Sequence, residues 1–130
     1  MSCTCYFCHR RVILFLFPIH VRKHTKLLRD GQMTNHVTAR PDDRYQGSLD
    51  GVPQVYRHAK CHQITGMPEK IVRSYLVNPM LYSDETFCTG CHTYVPHCEV
   101  AWVDTGQTLA EYFEQLRQEF RRARPDGPDA

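Results

Sequence analysis

Three segments of the 130-residue chain place two metal-seeking side chains two residues apart: Cys5-Tyr-Phe-Cys8, His58-Ala-Lys-Cys61 and Cys88-Thr-Gly-Cys91. That spacing lets one tight turn aim both ligand atoms at a tetrahedral ion. Zinc takes thiolate at ~2.3 Å and imidazole nitrogen at ~2.0–2.1 Å, so two such turns from distant parts of a chain complete a closed site. Seven Cys and eight His are also more potential ligands than a core of this size needs for packing. An odd number of cysteines leaves one thiol over in any fully paired disulfide framework, and Cys-x-x-Cys is too close for ordinary structural bridges. A reduced, cytoplasmic chain is therefore expected.

The best pairing joins His58 and Cys61 to Cys88 and Cys91. The 26 residues between Cys61 and Cys88 can hold a helix and its two connections, whereas 79 residues separate Cys8 from Cys88. Such a zinc, held by three thiolates and one imidazole, carries a single net negative charge, to which Lys60 adds a neighbouring positive one. Cys5 and Cys8 either belong to a second metal site, completed from among Cys3, His9, His20 and His24, or are free thiols. His97-Cys98 is a reserve ligand pair, although Pro96 before it points to a local turn with structural thiol packing.

Cys5-Tyr-Phe-Cys8-His9 and Cys88-Thr-Gly-Cys91-His92 also match the Cys-x-x-Cys-His pattern of c-type haem attachment. Cys61 is followed by a histidine as well, His62, in a turn with one thiol where two thioethers would be required. A trailing histidine common to all three turns has a simpler cause in the backbone. The residue after a metal knuckle often needs positive φ, where His is enriched among non-glycine residues.

Around these turns the sequence predicts an α+β fold, a small, mostly antiparallel sheet with one or two helices stabilised by the metal knuckles. The apolar run at residues 12–21 reads as a strand buried on both faces. Asp30-Gly31 predicts a tight hairpin with arms at residues 26–29 and 33–37. Residues 40–53, rich in Pro, Asp and Gly, read as a surface loop leading to a strand at 54–58. A helix of about ten residues is expected from Pro68, with Ile71, Val72, Tyr75 and Leu76 on one face and Asn78-Pro79 as its stop. Residues 99–103 form a strand whose alternation puts Val100 and Trp102 in the core. A second helix starts at Thr108, where Glu111 completes a capping box, and repeats apolar residues at Leu109, Phe113, Leu116 and Phe120. Residues 1–124 are expected to form one zinc-binding domain and residues 125–130 a disordered tail.

A formal charge of +2 gives weak support to nucleic-acid binding. The basic cluster at residues 22–29, with Arg22, Lys23 and Lys26, and the arginines Arg117, Arg121, Arg122 and Arg124 are the candidate phosphate contacts. Arginines near a helix C-terminus also complement the macrodipole. The apolar run is too short to span a bilayer and is broken by Pro18, so no membrane association is expected. His-Glu-x-x-His is absent, as is His-x-Glu followed by Pro-Cys-x-x-Cys, which disfavours hydrolase and deaminase chemistry. Thiol redox catalysis would need Cys88 at a helix N-terminus.

The knuckles resemble those of zinc-ribbon and related zinc-binding domains, Phe87-Cys-Thr-Gly-Cys91 most closely. The chain departs from a ribbon in having His58 in place of a first Cys and a helix where a hairpin would lie. The resemblance implies a binding module, and a four-ligand site that leaves no position for water or substrate makes the expectation a non-enzymatic, zinc-stabilised module that binds a protein or a nucleic acid. The alternatives are a c-type haem electron-transfer protein, with His92 and Met80 or another His as candidate axial ligands, or a thiol or zinc enzyme.

Overall fold

A computed structural model describes residues 1–123. It is an α+β fold made largely of hairpins. The first joins β1 (Ser2–Thr4) to β2 (Arg11–Ile13), the second β3 (Val55–His58) to β4 (Ile64–Gly66), and the third β5 (Glu85–Cys88) to β6 (Thr93–Pro96). A seventh strand, β7 (Val100–Trp102), pairs antiparallel with β3, giving the order β4-β3-β7.

Each metal-seeking knuckle is the turn of one hairpin. In all three, the backbone N–H of the histidine after the knuckle donates to the carbonyl of the first ligand residue: His9 to Cys5 at 2.6 Å, His62 to His58 at 2.8 Å and His92 to Cys88 at 2.9 Å. The same histidines have φ of +68°, +64° and +56°. They are the only non-glycine residues at positive φ among the described residues. One left-handed residue is what returns the chain to its partner strand, so the trailing histidine follows from backbone geometry common to the three turns.

The core lies between the second sheet and two helices. Strand β3 alternates, with Tyr56 and His58 buried and Val55 and Arg57 exposed, and this period-2 pattern carries His58 inside. Helix α2 (Glu69–Tyr75) is shorter than the sequence predicts, because the Asn78 side chain accepts from Met80 N–H and opens a separate 3-10 turn, Pro79–Leu81. Helix α3 (Leu109–Arg122) begins where the Thr108 hydroxyl accepts from Glu111 N–H, as the capping box requires. Leu109 and Phe113 pack with Tyr56, Val72, Tyr75, Val100 and Trp102 in one buried cluster, and Leu116 borders it. Arg117 on α3 is engaged structurally, donating to the Asp84 carboxylate at 2.9 Å and to the Tyr82 carbonyl at 3.1 Å. Arg124 and the expected tail at 125–130 lie outside the described residues.

Two expectations fail. Residues 12–21 are not a buried strand: β2 ends at Ile13, Leu14–Leu16 form a 3-10 turn, and Phe17–Thr25 form the helix α1. Pro18 cannot donate to a sheet ladder but suits a helical first turn, so it breaks the strand and starts the helix. Leu14, Phe15, Leu16 and Ile19 are exposed. The Asp30-Gly31 turn forms, with Gly31 at φ +93°, but it closes only one isolated bridge, Leu27 with Met33. A Cβ on Gly31 would stand 1.8 Å from the His92 carbonyl oxygen, so this turn packs on the third knuckle instead of extending two arms. From there the chain runs as a strap across the fold. The Tyr94 hydroxyl accepts from Met33 N–H, the Tyr82 hydroxyl donates to the Val37 carbonyl, and Ala39 N–H donates to the Ser74 hydroxyl.

Candidate metal centres

The hairpins β3–β4 and β5–β6 bring His58, Cys61, Cys88 and Cys91 together, their ligand atoms all within 4.8 Å of one another. Cys61 Sγ lies 3.4 Å from Cys88 Sγ, and His58 Nδ1 lies 3.6 Å from Cys88 Sγ and 3.4 Å from Cys91 Sγ. Bonds to tetrahedral zinc imply edges of about 3.8 Å between sulfurs and about 3.6 Å between sulfur and nitrogen, so these atoms need shift only a few tenths of an ångström to share one ion. Gly90 permits the approach of the two turns. A Cβ there would sit 2.8 Å from Cys61 Sγ and 2.6 Å from Gln63 Cβ.

Glu99, at the end of the 3-10 turn preceding β7, completes this centre. Its Oε1 lies 2.9 Å from His58 Nε2, and its Oε2 pairs with Lys60 at 3.2 Å. The carboxylate fixes the ring with Nδ1 facing the sulfurs and raises the pKa of His58, strengthening it as a donor. The backbone N–H of Gln63 donates to Cys61 Sγ and is the largest cause lowering that thiol to about 7. Cys91 is pushed up to about 11 by desolvation and by the neighbouring Cys88 and Cys61. A cation placed among these groups would favour the thiolate of Cys91 against that opposition. The donor set therefore fits a divalent ion. Sequence reasoning placed Lys60 beside the candidate site and missed Glu99, which lies between Lys60 and His58; its signal was its position just before a strand that pairs with β3.

The second cluster is Cys5, Cys8, His20 and His24, again with ligand atoms within 4.8 Å of one another. The first hairpin supplies the cysteines and α1 supplies the histidines, one turn apart on one helix face. His20 Nε2 is 3.3 Å from Cys8 Sγ and 3.3 Å from His24 Nε2. His24 Nδ1 lies 2.8 Å from the Asn35 amide oxygen, to which its N–H donates when Nε2 faces a metal. Phe7 stacks on the His24 ring at 5.1 Å. A hairpin thus supplies two Cys and the helix after it two His to one cluster. Of the ligands the sequence left open, His20 and His24 are brought together with Cys5 and Cys8. Cys3 lies in β1 outside the cluster, and the His9 ring turns instead to the Thr38 hydroxyl at 3.1 Å.

The reserve pair joins neither cluster. Cys98 is exposed in the 3-10 turn His97–Glu99, while His97 is buried and stacks on Phe113 at 4.8 Å. Burial holds its pKa down to about 4. Cys88 ends a strand that turns into β6, so it lacks the helix N-terminus that thiol redox chemistry would use. All seven cysteines are unpaired, and no described helix is long and apolar enough to cross a membrane.

These geometries define a small α+β chain with two Cys/His clusters, each able to hold a metal ion. No family model matches the chain, and no curated protein or solved structure gives a match.

Proposed function

We propose that the protein is a non-enzymatic interaction module held together by two zinc ions, one on His58, Cys61, Cys88 and Cys91 and the other on Cys5, Cys8, His20 and His24. The observation that carries this reading is that each cluster offers four ligand atoms, within 4.8 Å of one another, to one ion. Four protein ligands fill a tetrahedral zinc and leave no position for an activated water or a substrate, so the metal organises structure without performing chemistry. Soft thiolate and imidazole donors favour zinc over magnesium or calcium. Seven unpaired thiols support a reducing compartment such as the cytoplasm. The finger-like and ribbon-like layouts belong to architectures widely used as binding modules.

The test is metal content. Elemental analysis should find two zinc ions per chain. Cys88→Ser and Cys8→Ser should each lose one ion and retain the other. In the cobalt-substituted protein both sites should show tetrahedral spectra without an exchangeable water. One open, water-bearing site would overturn the non-enzymatic reading, and a haem absorption band would replace it with electron transfer.

A further inference from the structure

The charge of this chain is unevenly distributed. Residues 1–29 contain six Lys and Arg and no Asp or Glu, while the remainder holds ten Lys and Arg against fourteen acids. The whole positive excess thus belongs to the unit built around Cys5, Cys8, His20 and His24. The same unit carries the exposed apolar run, with Phe15 77% and Ile19 63% accessible and Leu14 and Leu16 beside them.

The second cluster explains why these side chains face outward. His20 and His24 take the inner face of α1, with Phe7 stacked on His24. Ile19, Arg22, Lys23 and Lys26 therefore share another face, where they line one shallow surface depression. The Leu14–Leu16 turn projects from the N-terminal end of that helix. Part of its backbone is satisfied: Leu14 N–H donates to the Met1 carbonyl and Phe17 N–H to the Leu14 carbonyl. The result is an apolar tip bordered by cations.

We propose that this unit docks on the surface of an anionic lipid bilayer, Leu14, Phe15, Leu16 and Ile19 entering the boundary between headgroups and acyl chains while Arg22, Lys23 and Lys26 meet the anionic headgroups. The proposal rests on the reading of the protein as a metal-held interaction module and names its partner. A bilayer supplies an apolar layer beneath an anionic one, the order in which the tip and its cations present themselves. A nucleic acid would satisfy the cations but leave four consecutive or neighbouring apolar side chains against phosphate and water. An apolar tip also needs no shaped pocket to enter a fluid interface. The expectation of no membrane association rests on the apolar run being too short to span a bilayer; the segment proposed here lies on the membrane and does not cross it.

The full zinc-loaded chain would be sedimented with vesicles of phosphatidylcholine alone and with vesicles in which roughly a third of the lipid is phosphatidylserine. Metal content would be measured on every sample. Binding is expected to the anionic vesicles only. Phe15→Glu, at a position too exposed to matter for folding, should weaken it more than tenfold with both zinc ions retained. Replacing Arg22, Lys23 and Lys26 by Glu should weaken it by about 100-fold or more, at about fivefold for each cation removed from near the surface. Lack of vesicle binding by the fully metal-loaded chain would overturn the proposal. So would vesicle binding indifferent to Phe15→Glu, or preferential binding to a duplex nucleic acid that the same variant leaves unchanged. Vesicle binding as described by a chain with fewer than two metal ions would count against the metal assignment alone.

Discussion

Replacing Glu99 by Ala tests whether the carboxylate on His58 organises the centre or merely lies beside it. The His58 side chain is 3% exposed, and its Nε2 reaches the Glu99 carboxylate at 2.9 Å. Removing the carboxylate leaves a buried N–H without that acceptor and frees the ring to turn Nδ1 away from the sulfurs. Loss of such an outer partner typically lowers metal affinity by about 10–100-fold, or about 1.4–2.8 kcal/mol. The depth of His58 places Glu99→Ala toward the upper end of that range. Glu99→Gln keeps a neutral acceptor within reach and should lose about tenfold or less. Lys60→Ala should change little, because Lys60 is 72% exposed and its ion pair is solvated. Competition with a chromogenic chelator, following release of the two ions, provides the measurement. The Cys5, Cys8, His20 and His24 site serves as the internal control, since its outer partner is Asn35. An affinity in Glu99→Ala within about twofold of the native value would refute the argument.

Three further outcomes are expected. Gly90→Ala forces a Cβ to within 2.8 Å of Cys61 Sγ and should destabilise the metal-loaded protein by about 1–3 kcal/mol, read by denaturant unfolding, with the other centre still filled. His92→Val should cost about 1–2 kcal/mol in the same assay, whereas His92→Gly should fold and hold metal as well as the native chain, because position 92 needs φ +56° and not an imidazole. His97 is held neutral with a folded pKa of about 4, below its unfolded value, so the unfolded chain takes up the proton first as pH falls. Stability from this residue is intact above about pH 6.5 and is lost between there and pH 4, by about 2 kcal/mol at pH 5. His97→Phe should remove that share of the acid sensitivity when the two unfolding curves are compared.

The cluster members that announce themselves by spacing were legible in the sequence, and those brought in by tertiary structure were not. Cys88, Cys91, His58 and Cys61 follow from two short motifs and a chain length that allows them to meet. His20 and His24 were obscured because residues 12–21 have strand composition. In a strand, residues four apart lie about 13 Å from one another, whereas in a helix they are adjacent. Pro18 carried the decisive information, and an apolar run outweighed it. The hairpin arms β1, β2 and β4 have three residues each, and β5 and β6 four, too few for any alternation to stand out. Helix α3 was legible because a capping residue and a long apolar period agree, while the exposure of Phe15 contradicts every composition rule and follows from the local fold alone.

A chain of this length could bury enough surface to fold without metal, yet its strands are divided among two hairpins and one three-stranded sheet. An isolated two-stranded hairpin is marginal in water, so each needs something to close against. Three hairpins with the same knuckle find two kinds of closure. The second and third close on each other, and their union leaves no half-site for the first. The first closes on the helix that follows it, whose histidines lie one turn apart beside Cys5 and Cys8, where they could fill the two remaining positions of a tetrahedral site. That arrangement spends much of the inner face of α1 on His20 and His24 and leaves few apolar positions to pack beneath it. Ile13, Leu14, Phe15, Leu16 and Ile19 are then directed outward, and on the proposed reading a metal that removes the need to bury them would make them available as a surface.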